Sequence, residues 1–185
     1  MPLTINKYRF SSSSYHEMIE LGILGENDRV ELIEGEIIAM AAIESRHAAC
    51  VNQVNRLLNQ HLRAEWIISV QNPIALSDGN EPEPDIALLR FQSDFYAKAL
   101  PRAQDTLLVI EVADSSLEYD QTIKLPLYAK TGISELWIID LNQNLIHQYL
   151  DPTSNTYRHK HTLDTDAIIN ASALPISLSV KGLLP

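Results

Sequence analysis

Asp85, Glu111 and Lys124 stand where charge is costly. Asp85 follows Glu83-Pro84 and opens the apolar run Ile86-Ala87-Leu88-Leu89, Glu111 interrupts Leu107-Leu108-Val109-Ile110 before Val112-Ala113, and Lys124 comes shortly after. Hydrophobic runs of that length read as buried strands, which rarely carry charge. An anion at the end of such a strand needs a counter-charge, most simply a metal ion with a lysine nearby. Two carboxylates converging from neighbouring strands offer the hard oxygen ligands that suit Mg2+ or Mn2+, with water and a substrate phosphate completing the shell. A lysine directed at the same point would stabilise an attacking hydroxide or the charge that grows on phosphorus. Together these roles describe in-line hydrolysis of a phosphodiester. The plainer alternative is a structural ion pair, or strand-end acids in water. Lys124 also stands four residues after Asp120, a spacing at which a helical ion pair needs no chemistry.

The elements around these residues follow from patterning. Residues 107–113 form the most hydrophobic run and predict a central strand, followed by a helix over about 117–130 that Gly132 stops, with Pro126 near a first turn or a kink. A short strand starts at Asp85. Residues 11–22 predict a helix with Ser14 and Glu17 spaced as a capping box. Residues 29–33 and 36–40 flank Glu34-Gly35 and predict a hairpin. Ala48, Val51, Val54, Leu58 and Leu62 recur at helical spacing, so residues 45–64 predict the best amphipathic helix. Strands are expected at 66–71, 135–140, 145–150, 156–163 and 176–180, and residues 91–100 fit either a short helix or a surface loop. The result is one domain, residues 1–185, with a mixed α/β (α+β) sheet flanked by helices and carrying additional antiparallel hairpins.

Composition narrows the partners. A net charge of −10 argues against broad, sequence-independent adhesion to nucleic acid, yet a cleft lined by acidic metal ligands is compatible with a phosphate substrate, because the bound cation reverses the local sign. Cys50 is the single cysteine, which excludes an intrachain disulfide and a cysteine-rich zinc site and fits a reducing, cytoplasmic setting. No run approaches the roughly 18 apolar residues of a membrane span. Arg158-His159-Lys160-His161 is the densest basic stretch and reads as the solvated face of a late strand; His147, His159 and His161 lack the spacing of a zinc site. His47, near the start of the long helix, reads as a solvated terminal histidine, with proton transfer in a cleft as the alternative.

In this order, Val30-Glu31-Leu32-Ile33-Glu34-Gly35-Glu36, Pro84-Asp85, Leu108-Val109-Ile110-Glu111-Val112, Asp120 to Lys124 and on to Tyr128, Gly132-Ile133 and Trp137-Ile138-Ile139-Asp140 resemble the Uma-type putative restriction endonuclease family of the PD-(D/E)xK nuclease superfamily, over most of the chain. The resemblance implies a restriction-endonuclease-like core in which Asp85 and Glu111 bind a divalent cation. It departs at Ala113, where the lysine expected two residues after the glutamate is missing; Lys124, on the following helix, occupies the position that substitutes for it. Glu31 matches the family's early glutamate and would add a metal or water contact, against the reading of an exposed hairpin acid. The expected activity is Mg2+- or Mn2+-dependent hydrolysis of DNA, with a homodimer possible on general grounds. The competing expectation, motivated by Ala113 and the acidic balance, is an inactive or partner-dependent nuclease-fold module.

Overall fold

A computed structural model of the chain describes residues 7–25, 27–62 and 65–185. Its centre is a six-stranded sheet in the order β3 (Trp66–Val70), β4 (Ile86–Arg90), β5 (Thr106–Ala113), β6 (Glu135–Asp140), β7 (Leu145–Pro152) and β8 (Tyr157–Leu163). Only β5 and β6 are parallel, and the helical crossover between them is what a parallel pair requires. Every residue of β5 and β6 is buried, because helices cover both faces. On one face Val112, Trp137 and Ile139 pack with Cys50, Val54 and Leu58 of α2 (Ser45–His61). On the other, Val109, Ala113 and Ile138 pack with Leu125, Tyr128 and Ala129 of α4 (Leu125–Thr131).

The mixed sheet, the flanking helices and the hairpin at residues 30–39 agree with the sequence expectation. The first helix, α1 (Ser12–Glu20), begins three residues before the capping box: Ser11 is the cap, and its hydroxyl accepts from the Ser14 backbone at 3.2 Å. The predicted long helix ends at His61, and residues 63–64 of that prediction lie outside the described residues. Residues 91–100 hold no helix and turn at 93–98. Near the C-terminus a second small sheet pairs β9 (Ile168–Asn170) with β10 (Ser177–Ser179), ahead of a short α5 (Val180–Leu183); only the region of β10 was expected. Weak alternation and short length hide β9, whose ends are both exposed. The basic stretch on β8 is exposed, as a solvated face should be.

Between β5 and α4 the chain runs through α3 (Leu117–Tyr119) and a π-helical turn, Asp120–Lys124, in which the Leu125 N–H donates to Asp120 O five residues back. Pro126 explains the widening. It has no N–H to give, and its ring would collide with the carbonyl four residues earlier in a regular α-helix. Gly132 ends the helix in the left-handed region, φ 85°.

The hairpin of β1 (Val30–Ile33) and β2 (Glu36–Ala39) turns through Glu34 and Gly35, both at positive φ, as a two-residue turn matched to strand twist requires. Gly35 is also pressed against Phe10: a Cβ there would lie 2.8 Å from Arg9 Cβ and 3.0 Å from Phe10 O. Gly35→Ala is therefore expected to destabilise by ~2 kcal/mol or more, from the left-handed backbone and the clash together. In thermal unfolding each ~1 kcal/mol should appear as a fall of roughly 2–4 °C for a protein of this size. An unchanged midpoint would show that the turn does not hold the hairpin.

Candidate active site

Register brings the two strand-associated acids together. Ile86 pairs with Ile110, so Asp85, one residue before β4, falls opposite Glu111. The contact is direct: the Asp85 N–H donates to Glu111 Oε2 at 3.3 Å, and the Val112 N–H donates to Asp85 Oδ2 at 2.9 Å. Pro84 sets this up by offering no donor of its own and keeping Glu83 extended. Because side chains alternate along a strand, Glu111 shares the face of Val109 and Ala113 and so points toward the α4 layer.

There it meets the helix lysine. Lys124 Nζ lies 3.2 Å from Glu111 Oε1 and 3.4 Å from Glu31 Oε2, and the Tyr128 hydroxyl donates to Glu111 Oε1 at 2.6 Å. Lys124 is only 6% exposed, and Glu31 and Glu111 2% each. The cation absent from position 113 thus arrives from the helix. Glu31 is no exposed hairpin acid: it accepts the Tyr119 hydroxyl at 3.0 Å and the Glu83 N–H at 3.1 Å. Asp120 is not in an exposed helical pair; it is buried and takes the Ser116 hydroxyl at 2.7 Å.

Asp85 is gripped from a third element. His47 Nε2, in the first turn of α2, lies 3.0 Å from Asp85 Oδ2, and the Gln71 side-chain amide donates to Oδ1 at 3.2 Å. His47 is largely buried, so the solvated-terminus reading fails, because the first turn of α2 abuts the end of the sheet. Gln71 and Tyr119 were not singled out from sequence, and no local pattern marks them. Tyr128 had a signal: it stands four residues after Lys124, on the same helix face.

Burial and crowding of charge perturb these groups. Burial pushes Glu111 up to about 8 against the pull of Lys124, with Asp120 and Asp85 adding to the rise, and burial pushes Asp120 up to about 6. For Lys124 burial acts downward, but Glu111, then Glu31, Asp120 and Asp85, outweigh it and hold the ammonium charged. The hydrogen bond to Asp85 raises His47, with burial opposing. These groups line a cleft of about 420 Å3. The single cysteine, Cys50, is buried in the core with its thiol pushed up to about 12 by desolvation, and takes no part.

Asp85 just before β4, Glu111 on β5 and Lys124 from the crossover helix thus meet in one cleft of a mixed sheet. A family model described as Uma2, putative restriction endonuclease, matches residues 13–181, and the chain belongs to that family. Its fold is similar to the crystal structure of a putative nuclease belonging to DUF820 from Anabaena variabilis ATCC 29413, with a TM-score of 0.62 and 20% identity, covering 89% of this chain and 94% of that one. Comparison with curated proteins gives no match. Among the described residues no helix is long and apolar enough to cross a membrane.

The buried charge cluster makes a thermodynamic prediction. Lys124→Met strands Glu31 and Glu111 without their ammonium and should cost roughly 3–5 kcal/mol in urea unfolding. Adding Glu111→Gln should recover part of that loss. Strictly additive losses in the double mutant would refute the pairing.

Proposed function

We propose that the protein is a divalent-cation-dependent nuclease that hydrolyses phosphodiester bonds of DNA, with Asp85 and Glu111 as cation ligands, Lys124 as the electrostatic catalyst and Glu31 as an auxiliary acid. The observation that carries this reading is Lys124 Nζ beside Glu111, 3.2 Å away, in a cleft that also holds Asp85.

The donor set suits a hard cation. Glu31, Glu83, Asp85, Glu111 and Asp120 crowd the cleft around one buried lysine, an excess of negative charge that a divalent ion would offset. Among the described residues no three His, Cys, Asp or Glu side chains form a ready-made ion cage. Two carboxylates completed by water and a substrate phosphate are nevertheless the usual provision for Mg2+, and they serve Mn2+ equally. Bound there, such an ion would polarise a phosphoryl oxygen and make water a better nucleophile.

The side chains supply the rest. Lys124, held charged and dry, offers fixed positive charge to an oxyanion without needing to reorganise. The Tyr128 hydroxyl occupies Glu111 Oε1 together with Lys124, which leaves Oε2, next to the Asp85 N–H, as the freer oxygen. His47 and Gln71 each hold one oxygen of Asp85 and so set the plane of its carboxylate. The inactive-module reading drew on Ala113 and on the acidic balance; Lys124 Nζ beside Glu111 speaks against the first of these grounds.

Two measurements test this. Purified protein incubated with DNA should cleave only with Mg2+ or Mn2+, and Asp85→Asn or Lys124→Ala should lower the rate by at least ~100-fold. Cleavage that survives Asp85→Asn unchanged would place the chemistry elsewhere. In calorimetric titration with Mn2+, His47→Ala should weaken binding by roughly 10–100-fold, as loss of a ligand-orienting partner does. Equal affinity would reduce His47 to packing.

A further inference from the structure

Reaching Lys124 is a steric problem for any polymer. A phosphodiester that approaches Nζ must leave bulk water for the 420 Å3 cleft, where Lys124 is 6% exposed and Glu111 2%, and the attached sugar and base go in with it. A cleft of this volume belongs with small-ligand pockets, roughly 300–1,000 Å3. A paired base would bring its complementary strand, whose phosphates would be pressed onto a protein of net charge −10.

The lining is not uniformly acidic. Between β2 and α2 the cleft is walled by Met40-Ala41-Ala42-Ile43, a run of apolar side chains outside any helix or strand, with Ile43 41% exposed. Exposed apolar surface beside a charged site marks a place where an apolar group of a ligand settles. Arg29 fastens this wall at two points: its carbonyl accepts the Met40 N–H at 2.9 Å, and its guanidinium donates to Ala41 O at 3.0 Å. Arg29 also lines the cleft, where its charge opposes the rise that burial imposes on Glu83, yet among the described residues no carboxylate lies within ion-pair distance of it. A guanidinium has five N–H donors, so one bond to a carbonyl leaves most of the fork for a phosphate.

We infer that the cleft takes an unpaired nucleotide of a DNA strand, with residues 40–43 as the wall against its base and Arg29 as the donor to a flanking phosphate. This rests on the nuclease reading and names the substrate class of the same site. Single strands, overhangs and frayed ends satisfy it; an intact duplex does not.

The test is fluorescence anisotropy with a short 5′-fluorescein oligodeoxynucleotide, offered single-stranded, as a blunt duplex and as a duplex with an unpaired overhang, with Ca2+ as the oxygen-seeking cation. Single-stranded and overhang forms should bind at least about tenfold tighter than the blunt duplex. Ile43→Asp and Arg29→Gln should each weaken single-strand binding by roughly tenfold. Ile43 is exposed, so its variant should keep the wild-type unfolding midpoint, and that midpoint is the folding control. Blunt duplex bound as tightly as single strand, or both variants binding like wild type, overturns the inference. Duplex cleavage that depends on Asp85 and Lys124 but ignores both variants would overturn it while the nuclease reading stands. No binding and no cleavage of any form, with Mg2+ or Mn2+, would remove both.

Discussion

One ammonium group organises the cleft. Lys124 is buried among carboxylates, two of them within 3.4 Å, and each of those acids belongs to a different part of the fold: Glu31 to the β1–β2 hairpin and Glu111 to the central strand. Each buried acid would carry a heavy desolvation penalty alone, and so would the lysine. Held together, they dock the hairpin and the helical crossover against the sheet at one point. Tyr119 and Tyr128 extend the grip, one hydroxyl on Glu31 and one on Glu111.

Asp85 answers a different constraint. It sits one residue before β4, with its backbone N–H on Glu111 Oε2 and its carbonyl taking the Gln71 N–H at 3.1 Å. Its carboxylate is held in turn by the Val112 N–H, His47 and the Gln71 side chain, from β5, α2 and the residue after β3. A carboxylate held by three elements has its plane fixed, which suits the cation-binding part proposed for it. The first turn of α2 also contributes Arg46, which bonds Leu141 O and pairs with Asp114 at 3.6 Å, so the helix that presents His47 is itself tied to the sheet's end.

Much of this was legible in the chain because burial and charge conflict visibly. Asp85 and Glu111 announced themselves by standing in apolar strand sequence, and the strands, the hairpin and the stop at Gly132 follow from period and glycine. What stayed hidden is relational. His47 looks like any histidine at a helix start, because its partner Asp85 stands 38 residues away. Gln71 and Tyr119 carry no local signature for the same reason. Glu31 was legible through the resemblance but not from strand period, because alternation sets an exposed residue beside a buried Leu32, whereas Glu31, Leu32 and Ile33 are all buried. The π-helical turn was half visible, since Pro126 demands some irregularity without saying that the helix would widen rather than break.

Moving the lysine from the strand to the helix has a structural logic. Ala113 shares its sheet face with Glu111 and is fully buried against a cluster that includes Leu125, Tyr128 and Ala129. A lysine there would have to thread through close-packed side chains, and overpacking of that kind forces side chains off their rotamers. Alanine instead lets α4 lie close on β5, and the same approach brings the helix's own lysine within reach of the carboxylate. The site's charge therefore depends on the seating of a helix rather than on the rigid pleat of a strand. The widened turn at Asp120–Lys124 belongs to that seating: it changes the phase of the side chains that follow and sets the register in which Lys124 and Tyr128 both meet Glu111 Oε1. A strand lysine would need none of this. A helix lysine ties the chemistry to Pro126, to the wide turn and to the packing of Ala113.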